Sequence, residues 1–320
     1  MKKLFNEKRD RYYHRQVLKA IGLSKAPIAF GAEKVCYLFK NFVVFKTPLS
    51  DTSEQGVSEA LLLKLIKQQN AEYLADAGIK TPRIVDIEFE GEHIYEIQER
   101  APGQVMSYTN ESNILNTFGE GFYNSIKDIR GDEERSDFCK KVLEHNFAMQ
   151  KKLKTAPIEH FVEFVRGFKA IQEYGLSLDI HGENFLYDTK TGFWFVDLPP
   201  VQSTEQKKFS LDSIGEAELL FEGKKIKQVE KYREVSDFEV VKQILSLFVD
   251  FLKYSGFVFD QEYVKQMKKN NAAIILGKLI PAFKIAGFKL TDKEKKMLKT
   301  RIQQVGYINP TKIEEVDEFF

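Results

Sequence analysis

Cysteine is scarce in this chain, with only Cys36 and Cys139 among 320 residues. That scarcity argues against a disulfide-stapled secreted fold and against a thiolate zinc centre. A charge excess is also missing, because 48 Lys and Arg stand against 47 Asp and Glu, a formal net charge of +1. A protein that coats nucleic acid would carry a basic surplus to displace counterions, so nucleic acid is not the expected partner. A local basic cleft for one phosphorylated ligand remains compatible with that balance. No run approaches the roughly 18 apolar residues of a membrane-spanning helix. The opening MKKLFNEKRDRYYHRQ has no apolar stretch behind its basic residues, so no signal peptide is expected. Internal repeats and low-complexity tracts are absent as well. What the chain does have is 43% hydrophobic residues, including 27 Phe, enough to offset the entropy of ordering. The expectation is a soluble, cytoplasmic, globular protein.

The mixed charged and aromatic start predicts a short leading helix. VCYLF and FVVFK, separated by Lys40-Asn41, then read as a hairpin. A long helix follows, capped by Thr52 or Ser53 and ended by Gly78, with Leu62, Leu65, Ile66, Gln69 and Tyr73 at helical spacing. RIVDIEFE and HIYEIQE make two more strands around Gly91-Glu92. Ala101-Pro102-Gly103 punctuates the chain, and helical periodicity dominates beyond it. The pattern divides the chain into residues 1–100, a small antiparallel sheet with one long helix, and 101–320, a larger, mainly helical part. Residues 199–208 read as a loop. The expected class is α+β.

The chemically informative segment is LSLDIHGENFLYDTKTGFWFVDLPP. Two apolar strands flank the turn-rich Asp188–Gly192. In the simplest register Tyr187 faces Phe193 and Phe185 faces Phe195, which brings Asn184 and Asp197 to the same open end. Asp179 lies five residues before Asn184 on the entering loop. Two carboxylates and an amide oxygen at one place form a hard, oxygen-only donor set suited to Mg2+ shared with substrate phosphates. His181 is positioned to shape the loop through backbone or Asp179. Asp and Asn are also ordinary turn formers, so the third acidic residue at the far strand end is what raises the pattern above chance. Trp194 is expected to pack the hairpin against the helical part, and Cys36 to be a packing thiol.

Lys46 ends the strand FVVFK. Alone it reads as a solvated strand end, and Gly31 alone reads as a turn. A lysine can steady phosphate oxygens only where a carboxylate fixes its flexible stem. Glu59 and Glu72 are the helix carboxylates available for that, with Glu59 favoured because it shares a face with Leu62, Leu63 and Ile66.

Together these residues resemble the protein-kinase-like superfamily over about residues 27–200, closest in style to the aminoglycoside and choline kinase branch. The resemblance implies a two-lobed kinase-like fold, with a β-sheet N-lobe for nucleotide and a helical C-lobe for catalysis and substrate. It implies Lys46 as the phosphate-anchoring lysine, Asp179 as the catalytic base, and Asn184 and Asp197 as metal ligands. Gly31 and Val35 would cover the nucleotide, with Glu59 pairing with Lys46. Backbone at Glu99 and Ala101 would meet adenine, with Gln98 as gatekeeper. ATP and Mg2+ are the implied cofactors, and the implied activity is phosphoryl transfer to a hydroxyl. The chain departs from the pattern with Lys34 at a glycine position, Ser177-Leu178 before Asp179, and Leu198-Pro199 after Asp197. His181 and the missing Ala-Pro-Glu tilt the acceptor toward a small molecule over a protein. A catalytically weak or inactive pseudokinase that binds nucleotide or scaffolds, and an atypical protein kinase or AMP transferase, are the alternatives.

Overall fold

The computed structural model describes residues 16, 19, 29–30, 34–108, 132–174, 176, 178–198, 235–252 and 261–306. Of the expected leading helix only Gln16 and Lys19 are among these residues, both helical, while Gly31, Ser177 and the loop expected over 199–208 lie outside them. The fold is α+β, and the described residues form two antiparallel sheets and a set of helices. Chain contacts define two compact units. One holds the described residues up to Leu61 together with Ile84–Arg100. The other holds Leu62–Arg83 and the described residues from Ala101 onward.

The first unit is built on a five-stranded sheet. Its strands are β1 (Ala29–Phe30), β2 (Val35–Phe39), β3 (Phe42–Pro48), β4 (Ile84–Glu90) and β5 (His93–Glu99), in the order β1-β2-β3-β5-β4. The two-residue turn between β2 and β3 puts Lys40 at φ +53°, and the turn between β4 and β5 puts Gly91 at φ +62°. Positive φ at a tight hairpin turn matches the right-handed twist of the strands it joins. Successive side chains alternate between faces. Val35, Val44, Lys46, Tyr95 and Ile97 therefore share one face. Cys36, Phe45, Glu96 and Gln98 share the other, through the pairs Cys36–Phe45, Phe45–Glu96 and Val43–Gln98. Val44 and Ile97 form the apolar centre of the first face, flanked by Tyr37, Phe39, Phe42 and Tyr95.

Helix α1 (Glu54–Asp76) links the units. Ser53 caps it, accepting the Gly56 N–H at 3.2 Å. Gly78, at φ +82°, ends it, with Ile79 N–H returning to Leu74 O at 2.9 Å. Its buried stripe runs Leu62, Ile66, Lys67, Asn70, Ala71 and Leu74. Leu63, expected on the inner face, is 44% exposed, and Lys67 is buried instead.

The second unit contains a three-stranded sheet of β6 (Gln104–Val105), β7 (Phe185–Asp188) and β8 (Gly192–Phe195). Around it lie α2 (Asp132–Thr155), α3 (Ile158–Glu173), α4 (Asp237–Asp250), α5 (Gln261–Ile274), α6 (Ile280–Ile285) and α7 (Asp292–Val305). A π-helical turn, Ile275–Leu279, joins α5 to α6. Its cause is local. Pro281 has no N–H to offer, its ring crowds the carbonyl four residues back, and widening the turn accommodates both effects. One apolar core runs through this unit, from Leu74 and Ile79 through α3 and the β7–β8 hairpin to α4, α6 and α7. Both cysteines are buried and unbridged. No helix among the described residues is long and apolar enough to cross a membrane.

Candidate active site

The β7–β8 hairpin has the register its sequence calls for, with Phe185 opposite Phe195 and Tyr187 opposite Phe193. Asp188 sets the turn. One carboxylate oxygen accepts the N–H of Lys190 and the N–H and Oγ1–H of Thr191, at 2.8–3.0 Å. Partial burial pushes the Asp188 carboxyl upward, but the hydrogen bonds from Thr191 and Lys190 outweigh it and hold its pKa below the ordinary value. Pleat alternation turns Phe185, Tyr187, Phe193 and Phe195 inward, where all four are buried. The ring of Phe164 from α3 stacks on Phe193 at 4.3 Å and on Phe195 at 5.4 Å, and meets Phe185 edge-on at 5.7 Å. Fully burying each such ring contributes about 1.5–3 kcal/mol. Trp194 lies on the other face, half-buried, with its indole N–H donated to Thr191 Oγ1 at 3.0 Å. The phenylalanines, and not Trp194, dock the hairpin on the helices.

This anchored hairpin positions the loop that carries the polar residues. Val196 N–H donates to Asn184 O at 2.9 Å, extending the β7–β8 ladder by one step. Asp197 follows immediately, in the left-handed region at φ +57°. A non-glycine residue there stores strain that the surrounding structure must hold. Asp179 and Asn184 close the loop on each other, because Asn184 Nδ2 donates to the Asp179 carbonyl at 2.9 Å. The Asp179 carbonyl also accepts His181 N–H, and His181 Nε2 lies 3.2 Å from Asp179 Oδ1. Both side chains are exposed, with Asp179 66% open to solvent. The Asn184 amide nitrogen is thus engaged, while its Oδ1 receives no hydrogen bond among the described residues.

Beneath the loop, Gly182 is the tight point. Its N–H donates to Asp250 Oδ2 at 3.0 Å, at the end of α4, and its carbonyl faces Ser107 N–H at 3.4 Å. A Cβ added to Gly182 would stand 1.7 Å from Ser107 Oγ, an impossible approach. Ser107 Oγ is itself buried and has no hydrogen-bond partner among the described residues. The segment bearing Ser107 is tied to α2. His145 Nε2–H donates to Val105 O at 2.8 Å, and Asn146 Oδ1 accepts Tyr108 N–H at 3.2 Å.

Lys67 was not singled out by sequence. Its side chain is 5% exposed, and its ammonium lies 3.5 Å from Asp197 Oδ1. The available signal was its place on the stripe with Ala71 and Leu74, which ordinary lysine solvation outvotes. Glu96 was missed for the same reason. It is 1% exposed and accepts a hydrogen bond from Gln98 Nε2.

In the first unit, Lys46 pairs across β2–β3 with Val35 and across β3–β5 with Tyr95, and its ammonium lies 6.0 Å from the Tyr95 ring centroid. Glu59 is exposed and accepts Gln55 Nε2–H at 3.0 Å. No ion pair joins it to Lys46 among the described residues. Glu72 is exposed too. Gln98, expected as gatekeeper, lies on the sheet face opposite to Lys46. The residue on the Lys46 face is Ile97, cross-strand from Val44. Glu99 is exposed and Ala101 buried. Lys34, the residue at the expected glycine position, lies over the Phe45 ring at 4.8 Å.

At the hairpin end Asp197 offers a carboxylate and Asn184 an amide oxygen, hard donors of the kind that Mg2+ takes. Among the described residues no group of three or more His, Cys, Asp or Glu side chains forms a self-sufficient metal cage.

No protein-family model and no curated protein matches the chain. Among solved structures it is similar to the bifunctional kinase-methyltransferase WbdD. One structure of WbdD matches at 10% identity over 85% of this chain and 47% of that one, with a TM-score of 0.28. A second matches at 11% identity over 88% and 50%, with a TM-score of 0.29. A co-crystal structure of WbdD with the kinase inhibitor LY294002 matches at 10% identity over 73% and 46%, with a TM-score of 0.27. The chain spans about half the length of the structures it matches.

Proposed function

We propose that the chain is a kinase-like phosphotransferase that moves the γ-phosphoryl group of ATP to a hydroxyl, on a small molecule in preference to a protein. The observation that carries this reading is the Asp179–Asn184 loop, closed by the Asn184 amide and delivered by the hairpin to the side of Asp197. Asp179, exposed at the loop, orients the acceptor hydroxyl and takes its proton as the oxygen attacks phosphorus and ADP leaves. His181 steadies that carboxylate from 3.2 Å. Asn184 Oδ1 and the Asp197 carboxylate are the proposed metal ligands. Bound there, Mg2+ supplies charge neutralisation for the ATP phosphates.

In the first unit Lys46 and Val35 share one sheet face, which supports reading that face as the nucleotide side. Lys46 steadies phosphate oxygens there, and Ile97 takes the gatekeeper place in preference to Gln98. Backbone at Glu99 and Ala101 remains the proposed adenine contact. Glu59 remains the proposed partner of Lys46.

The test is ATP turnover by the purified full chain with Mg2+ and a panel of hydroxyl acceptors. Asp179→Asn and Asp197→Asn should each lower the rate at least about a hundredfold while leaving melting cooperative. Rates equal to wild type in both variants would sink the assignment.

A further inference from the structure

Among the described residues, Lys67 is the only buried lysine or arginine. An ammonium withdrawn from water is strongly unfavourable unless a carboxylate compensates it. The Asp197 carboxylate does so at 3.5 Å, while remaining 29% exposed. Asp197 thus meets Lys67 yet stays open to solvent, and its strained backbone, at φ +57°, sets where the carboxylate sits. Its neighbour in the donor set, Asn184, brings a dipole and no charge.

We propose that Lys67 is a positioning residue and resident counter-charge for Asp197, weakening the site for a bare divalent cation so that metal enters as its nucleotide complex. This rests on Asp197 being a metal ligand, as in the function proposed above. The electrostatics follow from charge alone. A doubly positive ion approaching the Asp197–Lys67 pair meets a carboxylate whose charge is already compensated at close range. In a partly buried setting the repulsion from the ammonium is only weakly screened. Nucleotide phosphates carry negative charge in with the metal and offset that repulsion, which makes metal and nucleotide uptake mutually favourable. Lys67 therefore couples the two uptake events without touching the transferred group.

The test is a Mn2+ titration of the full chain without nucleotide, reading free Mn2+ by electron paramagnetic resonance. Wild type and Lys67→Arg should bind weakly. Lys67→Met and Lys67→Gln should each bind at least about tenfold more tightly, since removing a unit charge this close changes the local energy by more than that ratio requires. Adding Asp197→Asn to Lys67→Met should erase the gain. Neutral variants that fold and bind no more tightly than wild type would overturn the proposal, as would a gain that survives Asp197→Asn. Micromolar Mn2+ binding by nucleotide-free wild type would overturn it whether or not the variants fold. The phosphotransfer reading fails separately, through unchanged ATP turnover in Asp179→Asn and Asp197→Asn.

Discussion

Asn184 closes its loop on Asp179, the side-chain amide donating to the backbone carbonyl five residues earlier at 2.9 Å. The contact engages the amide nitrogen, and the oxygen is the atom proposed to meet the metal. Asn184→Ala should remove both functions, lowering ATP turnover at least about a hundredfold by loss of positioning. Stability should fall by only about 1 kcal/mol, the usual scale for one such bond. Parallel turnover and denaturant measurements check this. A large stability loss with unchanged turnover would assign Asn184 a purely structural role.

Gly182 has no room for a side chain against Ser107. Gly182→Ala should destabilise by about 1–3 kcal/mol, the scale of overpacking. Because the obstructing atom is the Ser107 hydroxyl, Gly182→Ala combined with Ser107→Gly should recover part of the loss. Denaturant midpoints of the two singles and the double give the coupling, and strict additivity would mean that the clash is relieved elsewhere.

Phe164 touches the rings of Phe185, Phe193 and Phe195 at once. Phe164→Ala should cost about 3–5 kcal/mol and Phe164→Leu markedly less, as the cavity shrinks. Thermal melts measure the difference. Trp194 fluorescence should barely respond in the folded Phe164→Leu variant, because the indole lies on the opposite hairpin face.

Burial holds the His145 imidazole below its ordinary pKa. The hydrogen bond with Val105 opposes this shift, and Lys152 adds to it. Above the unfolded value, about 6.5, both states are neutral and the contact to Val105 is intact. As pH falls below that value, the unfolded chain takes up a proton that the folded imidazole resists, so stability is lost until the folded group titrates too. Melting temperature should fall between about pH 7 and about pH 5 more steeply in wild type than in His145→Gln, which keeps a donor for Val105 but cannot ionise in this range. Parallel profiles would remove His145 as a source of acid sensitivity.

Local chemistry made much of this architecture legible. The β2–β3, β4–β5 and β7–β8 hairpins follow from alternating apolar residues and short polar turns, and Gly78 ends α1 because only a residue at ease with positive φ fits there. The register of β7 and β8 set Asn184 and Asp197 near one another before any packing was known. The misreading of Trp194 arose from giving size precedence over pleat parity, which assigns positions 193 and 195 to the core and 194 to the other face.

Sequence by itself thus determined the hairpins, the helix ends and the polar cluster beside the β7–β8 strand ends, because each depends on neighbours within a few residues. Tertiary structure alone decided that Lys67 is buried against Asp197, that Glu96 is buried beside Gln98, and that Gly182 must be glycine. A lysine or glutamate read in isolation belongs in water, since the desolvation cost is intrinsic to the residue. For Lys67 the compensating charge comes from another element, and only folding brings it within reach. For Glu96 the hydrogen-bond donor lies two residues along the same strand, and what folding adds is the burial.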